Sequence, residues 1–356
     1  MTRLRVAIVG CGFWSRFQVP AWQEIEGVSC VAVCDLDRAK SRAAAYRFSI
    51  PENYTDPAKL LAAVRPDVVD IVTSPPTHAE LVDLAASHRV PVICQKPLAP
   101  NLSAAEKMVR SCAEQSVPLF VHENWRWQRS IRELKRVLDS GTIGRPFRAR
   151  IDFNSSFPVF DNQPSLRETP ELILADAGVH LLDAIRFLFG EAESLTCLTN
   201  QVNSGIAGED VATVLLAMQN GATVLCSLSF ASQLESERFP ETLALIEGET
   251  GSVELAPDFW IRTTDPHETR ARRYPPKLYP WADPNYAPVH ASIVECHRNL
   301  AGALRGTEQA ETTGADNLRT LRLVFAAYES SRSQQTVRLQ PKSNDSSKIP
   351  HRPTEI

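Results

Sequence analysis

Four short segments hold the residues best suited to chemistry. The first is Val6-Ala7-Ile8-Val9-Gly10-Cys11-Gly12-Phe13-Trp14-Ser15. It fits G-x-G-x-x-G/A with Ser15 in the third place. Gly10 suits a tight turn, and Gly12 lets the backbone approach a pyrophosphate. The helix that follows turns free N–H groups toward the anion. Asp35 stands twenty residues after Ser15, at the end of the next apolar run. A carboxylate there accepts hydrogen bonds from ribose hydroxyls and repels a 2′-phosphate, which favours NAD. Arg38 close by leaves NADP open. The plain alternative is a glycine turn with no ligand. The second segment is Val72-Thr73-Ser74-Pro75-Pro76-Thr77-His78 and the third is Ile93-Cys94-Gln95-Lys96-Pro97. Each follows an apolar run that reads as a strand, and open α/β sheets bind ligands at the carboxyl ends of their strands. Thr73, Ser74 and His78 are therefore candidate cofactor contacts. A proline-rich turn with Thr77 as helix cap and His78 in the first helical turn explains the same residues without a ligand. Lys96 stands where a cofactor ring would lie. Its ammonium can hold a substrate hydroxyl and stabilise a developing alkoxide, or it is a solvated loop lysine.

The fourth segment is Leu174-Ala175-Asp176-Ala177-Gly178-Val179-His180-Leu181-Leu182-Asp183. Helical geometry puts Asp176 and His180 one turn apart, with Asp183 three residues further on the same stripe. Histidine is the usual general acid/base near neutral pH, and a neighbouring carboxylate can orient it. The same spacing also suits a divalent metal or a histidine tied down by its own aspartates for structure alone.

Elements must place these segments together. Short apolar runs at Leu4–Val9, Val28–Cys34, Val68–Val72, Val90–Cys94 and Leu119–His122 alternate with helical patterns at Trp14–Ile25, Asp37–Phe48, Thr77–Ser87 and Ser103–Gln115. Strands of that kind belong in a parallel sheet covered by helices, an α/β Rossmann domain over residues 1–122. The pattern then changes. A helix at Ser130–Asp139 and a long one at Glu171–Phe189, stopped by Gly190, precede or interrupt a run of strands. The strands are Phe147–Phe153, Leu195–Leu198, Val211–Met218, Ala222–Phe230, Thr242–Glu247 and Ser252–Leu255. Asn220-Gly221 between two of them is a strong hairpin signal. Residues 123–342 thus read as an α+β domain with a large, mostly antiparallel sheet. Thr264–Pro288 reads as a long loop, Ala291–Leu304 and Asn317–Ser331 as helices, and residues 343–356 as a flexible tail.

Composition removes several classes. The 356 residues carry 38 Lys+Arg against 42 Asp+Glu, a net charge of −4, which argues against a basic nucleic-acid binder. No apolar stretch is long enough to span a membrane, and the N-terminal apolar run is too short for a signal peptide. Eight cysteines include no C-x-x-C pair. Several lie in apolar runs, so reduced thiols in the cytoplasm are the simplest account.

The four segments, in this order, resemble the glucose–fructose oxidoreductase / inositol dehydrogenase / rhizopine-catabolism (Gfo/Idh/MocA) family. Gln95-Lys96-Pro97 is similar to its E-K-P motif, and Asn124 with Arg126 in Glu123-Asn124-Trp125-Arg126-Trp127 to its segment after the last Rossmann strand. Asp176 and His180 match its D-x-x-x-H helix, while Gly208-Glu209-Asp210 and the run Leu323–Ser330 resemble its C-terminal domain. The resemblance covers almost the whole chain. It implies hydride transfer between NAD(P) and a sugar, inositol or related polyol, with Lys96, His180 and Asp176 catalytic and no metal. It implies cofactor contacts from Gly10, Gly12, Phe13, Trp14, Asp35, Thr73, Ser74, His78, Gln95 and Lys96, and substrate contacts from Asn124 and Arg126. Trp125, Phe157, Phe160 and Arg167 would line the cleft or the core. It implies a homodimer or homotetramer through the C-terminal sheet. Gln95 departs from the family's Glu and puts a neutral amide beside Lys96. Two other functions remain open on this fold: bond cleavage by transient oxidation with tightly held NAD, and a non-catalytic sugar or nucleotide sensor.

Overall fold

A computed structural model describes residues 3–156, 159–235 and 239–339. The first half is a strand–helix alternation. Its elements are β1 (Leu4–Val9), α1 (Ser15–Gln23), β2 (Val28–Cys34), α2 (Arg38–Arg47), β3 (Glu52–Tyr54), α3 (Pro57–Val64), β4 (Val68–Ile71), α4 (His78–Ser87), β5 (Val92–Gln95), α5 (Leu102–Glu114) and β6 (Leu119–His122). The six strands pair in parallel in the order β3-β2-β1-β4-β5-β6. That order reverses between β1 and β4, and ligands of such sheets bind in the crevice this opens at the strands' carboxyl ends. β4, β5 and β6 are buried at every position, as strands covered on both faces must be. Sequence reading passes over β3 and α3, which are short, at three and eight residues.

The second half contains α6 (Arg129–Asp139), β7 (Pro146–Asn154), α7 (Val159–Asn162), a π-helical turn at Leu174–Gly178, α8 (Val179–Phe189), β8 (Ala192–Asn200), β9 (Val211–Met218), β10 (Thr223–Ser229), β11 (Leu243–Gly248), β12 (Gly251–Ala256), β13 (Trp260–Thr264), β14 (Thr269–Arg273), α9 (Ala287–Leu304), α10 (Gly314–Ser333) and β15 (Val337–Arg338). Nine strands form one sheet, ordered β14-β13-β12-β11-β7-β10-β9-β8-β15. Its pairs are antiparallel except β7 with β10. Gly221, at φ +89°, turns β9 into β10 as the Asn-Gly signal predicts. The expected loop from Thr264 is partly a hairpin, because β14 pairs along β13. Every residue of β14 is exposed, so no apolar alternation announces it. The tail from Asn344 lies outside the described residues.

The two sheets do not divide the helices cleanly. α9 follows the second sheet in sequence, yet Cys296, Leu300 and Ala301 join the core of Ile8, Val33 and Trp22. His297 stacks on Trp22 with ring centroids 3.8 Å apart. A division at residue 122 therefore separates the sheets and leaves α9 packed on the first domain.

Candidate active site

The glycine turn is built as its spacing predicts. Gly10 adopts φ +103°, and a Cβ there would stand 2.7 Å from the Val72 carbonyl oxygen. Nothing lies within 4 Å of a Cβ at Gly12, so the space above it is open. Trp14 caps α1 without a side-chain hydrogen bond. The Arg16 and Phe17 N–H groups turn back to Phe13 O and Trp14 O at 3.3 and 3.0 Å, so the helix start offers an anion its positive dipole end and the N–H groups ahead of Arg16. Asp35 follows β2. Its Oδ2 accepts the Cys11 N–H at 2.8 Å and its Oδ1 the Asp37 N–H at 2.9 Å. Both bonds fix the carboxylate beside the glycine turn. Burial, then the Asp35 charge, pushes the Cys11 thiol up to about 12, so it stays protonated. Thr73 packs against Gly10 and accepts the Thr77 hydroxyl at 2.7 Å, and Ser74 is exposed.

His78 is placed differently from its expected cofactor contact. It is fully buried, with Nδ1 3.1 Å from Leu98 O and Nε2 3.0 Å from Thr73 O. Burial holds the ring neutral, so it donates to one of these two carbonyls, and the side chain points inward between the loops after β4 and β5. Thr77 makes no capping bond to the helix; its hydroxyl turns back to Thr73 and Ser74 instead.

Beside the crevice, between the two sheets and α9, lies a cavity open to solvent on one side, about 730 Å³ including that open space. Lys96, Asp176, His180, Asn124, Gln95 and Trp14 all line it, and Phe13 adds to its aromatic wall. Lys96 follows β5 and is held from both sides of one residue. Its Nζ donates to Asp176 Oδ1 and to Asp176 O, each at 2.8 Å. Burial works to raise the Asp176 carboxyl, but the charge and hydrogen bond of Lys96 hold it below the usual range. The two therefore form a charged pair.

The helix carrying Asp176 and His180 is not regular. Leu174–Gly178 is π-helical and α8 starts only at Val179. Glu209 anchors the turn, accepting N–H groups from Leu172 and Leu174 at 3.1 and 3.2 Å. The Tyr328 hydroxyl donates to Glu209 Oε1 at 2.9 Å and accepts the Ala175 N–H at 3.1 Å. The wider π winding accompanies a pairing different from that expected of a four-residue step. Asp176 serves Lys96, while His180 Nδ1 lies 2.5 Å from Glu123 Oε1. The Trp125 indole stacks on the imidazole at 4.6 Å and 5°. Burial, then the charge of Lys96, hold the His180 imidazolium well below its ordinary range. The ring is thus neutral, and Nε2 is the nitrogen left for the cavity.

Sequence reading missed Glu123. The residue follows β6 and is fully buried, two signals that only the fold brings together. Arg126 corrects another expectation. It does not line the cavity. It crosses to α8 and α10, where Nε and Nη2 donate to Asp183 at 2.7 and 2.6 Å and Nη2 to Asp316 at 3.0 Å. α8 is buried at ten of its eleven positions, so its charged side chains need partners. Asp183 finds Arg126, and Arg186 finds Glu191 and Asp316. Asp183 therefore leaves the stripe of Asp176 and His180. Asn124 does reach the cavity, with its amide donating to Ser292 Oγ at 2.6 Å. Phe160 and Arg167 stand outside it, stacked on each other at 5.1 Å, and Phe157 lies outside the described residues.

The chemistry of the donor set fits a dinucleotide. The open glycine turn and uncapped α1 suit the pyrophosphate and Asp35 the adenosine ribose. Gln95 Nε2 is buried, without a hydrogen-bond partner among the described residues, at the cavity's edge. It is a free donor where the nicotinamide ribose would lie. Comparison with known proteins agrees. Residues 4–123 match the model of an oxidoreductase family with an NAD-binding Rossmann fold. Residues 131–254 match the model of the GFO/IDH/MocA C-terminal domain. Fold and site thus define an NAD-dependent dehydrogenase acting on CH–OH groups. The chain belongs to the Gfo/Idh/MocA family. It is 42% identical to D-apiose dehydrogenase of Rhizobium rhizogenes over 95% of this chain and 98% of that protein. It is 43% identical to D-apiose dehydrogenase of Paraburkholderia graminis over 95% of this chain and 90% of that one. Among solved structures, an oxidoreductase from Agrobacterium radiobacter in complex with NAD+, L-tartaric acid and magnesium superposes with a TM-score of 0.93. It is 42% identical and covers 95% of this chain and 98% of its own.

Proposed function

We propose that this enzyme oxidises a small aldose, with D-apiose as the leading substrate. The observation that carries this reading is the convergence of Lys96 Nζ and the His180 ring on one cavity beside the nucleotide crevice. The name shared by two relatives that span 90% or more of their length supports the particular sugar. Bound NAD supplies the hydride acceptor. His180 Nε2 takes the proton of the reacting hydroxyl. Lys96 Nζ, with two donor bonds already fixed on Asp176, offers its third to the same oxygen as charge develops. Asn124 is a further polar group for a sugar hydroxyl. The aromatic wall lowers the polarity around the reacting groups, which strengthens each of these interactions. The test is reduced-nicotinamide formation by purified protein with NAD or NADP against D-apiose, other aldoses, inositols and sugar acids. Turnover concentrated on D-apiose with NAD, lost in His180→Ala, is the expected result. Turnover confined to an inositol or a sugar acid would overturn the substrate and keep the reaction.

The same reading makes the enzyme a cytoplasmic homo-oligomer. All eight cysteines are free, which suits a reducing compartment. Leu198, Leu215, Leu245 and Trp260 are each more than a third exposed on the face of the nine-stranded sheet turned from its helices. Register lines Leu245, Arg150, Leu225 and Leu215 across four adjacent strands. An apolar stripe on an open sheet suits burial against a second copy. Light scattering on the purified protein tests it: a dimer or tetramer is expected, and a monomer would refute it.

A further inference from the structure

We propose that Glu123 is the proton-holding partner of His180. Its carboxylate keeps the ring hydrogen on Nδ1, presents Nε2 to the substrate, and pairs with the imidazolium formed when the hydroxyl gives up its proton. The proposal rests on the reading of His180 as the base.

The geometry is specific. Glu123 is 0% exposed, and its Oε1 meets His180 Nδ1 at 2.5 Å. The Trp125 N–H donates to the same oxygen at 3.3 Å. Oε2 is buried with no partner among the described residues. A buried carboxylate with half its acceptors empty is costly, and nothing in the packing of β6 demands one there. The stacked Trp125 ring fixes the plane of the imidazole, and in that plane Nδ1 meets Glu123 Oε1. Asp176, the carboxylate that spacing would assign to the histidine, is already committed to Lys96.

Six other titratable groups face the pair. Lys96 and Asp176 lie across the cavity, Asp183 on the next turn of α8 and Arg126 in the turn that carries Glu123. His122 precedes Glu123, and Cys296 of α9 has its Sγ 3.8 Å from Glu123 O. Burial pushes the Glu123 carboxyl up to about 7, with Lys96 the foremost of the charges pulling it down. Two groups this close titrate as a unit. Below about pH 7 Glu123 is protonated and donates to Nδ1, so the neutral ring carries its one hydrogen on Nε2. As pH rises through that range one proton leaves, the remaining hydrogen sits on Nδ1 bonded to the carboxylate, and Nε2 becomes a base. The oxidation step then balances. The substrate O–H bond breaks and an Nε2–H bond forms, while the hydride leaves carbon for the nicotinamide of the established reaction. The reverse reduction needs Nε2–H as acid and weakens over the same pH range.

Glu123→Gln keeps the volume and an acceptor for Nδ1 but cannot carry charge. Oxidation kcat should fall about 10²- to 10⁴-fold, with KM and NAD affinity nearly unchanged. Its acid limb should leave the neighbourhood of pH 7 and move lower, because an imidazolium without its carboxylate is harder to form. Glu123→Asp should restore a limb near neutrality with part of the rate. Wild-type kcat and an unmoved limb in Glu123→Gln would overturn the proposal. If that variant does not fold, Glu123→Asp decides alone, and an unchanged rate and profile there would overturn it. His180→Ala runs beside both. Full turnover in His180→Ala would remove the base assignment itself; loss there with a wild-type Glu123→Gln would remove Glu123 alone.

Discussion

Arg126→Ala separates an architectural arginine from a substrate-binding one. The guanidinium is 6% exposed and donates to Asp183 twice, to Asp316 once and to Glu311 O at 3.2 Å. Truncation leaves the Asp183 carboxylate, itself 1% exposed, with Thr320 Oγ1 at 3.1 Å and Arg186 only at 4.0 Å. Breaking a buried pair from one side costs about 3–5 kcal/mol. A domain is stable by roughly 5–15 kcal/mol, so the variant should keep its fold and lose about 10 °C in Tm. Burial already pushes the Asp183 carboxyl up against the pull of Arg126. Without the arginine that carboxyl rises further, and the variant should lose less stability at acid pH, where Asp183 takes a proton, than at neutral pH. Urea unfolding of Arg126→Ala, Asp183→Asn and the double variant gives the coupling. The double variant should cost less than the sum of the singles, because it leaves no unpaired charge at the pair. Substrate KM, measured where the variant is folded, should stay within about threefold of wild type, less than the factor of ten that 1.4 kcal/mol of lost contact would produce. An unchanged Tm with a tenfold higher KM would refute this reasoning and return Arg126 to the substrate.

Lys96→Met should lower kcat by about 10²- to 10³-fold, the usual loss for one donor to a developing oxyanion, with NAD binding retained; steady-state and equilibrium titrations check the two separately. Asp35→Ser should weaken NAD by roughly tenfold or more, since hydrogen bonds to a charged group contribute about 1.5–3 kcal/mol, and should raise the NADP/NAD ratio of kcat/KM. An unchanged ratio would mean that Asp35 does not meet the ribose. Tyr328→Phe removes one donor and one acceptor at the π turn. Unfolding should show a loss of about 1–3 kcal/mol, and kcat should fall more than KM changes because Asp176 sits in that turn.

Much of the fold follows from local pattern, and the exceptions have causes. β1, β2, β6 and β9 fall at the residues their apolar runs predict, because a strand buried on both faces or alternating cleanly cannot be written otherwise. β14 is missed because an all-exposed edge strand has no such pattern. The docking of α9 on α1 is missed because sequence order says nothing about which sheet a late helix covers. The cofactor end of the site is equally readable, since a glycine turn, a helix start and an acid after β2 are linked by short stretches of chain. His78 shows the limit there, as a ring placed at a strand's end can face inward between two loop carbonyls as readily as face a ligand.

The catalytic end depends on contacts between distant segments. Glu123 and His180 are fifty-seven residues apart, Lys96 and Asp176 eighty. A four-residue step on a regular helix would have paired Asp176 with His180. The π-helical winding of Leu174–Gly178 shifts Asp176 relative to His180, and that irregularity is held by Glu209 and Tyr328 from two further elements. The result divides two duties. One carboxylate holds the ammonium and another holds the imidazole, so neither charge state depends on sharing a partner. An aspartate serving both groups would have to divide its oxygens between Lys96 Nζ and His180 Nδ1, where the structure gives each its own carboxylate. The irregular helix is therefore what lets the ammonium and the imidazole stand on one wall of the cavity, each with its own carboxylate, as the proposed acid–base and electrostatic roles require.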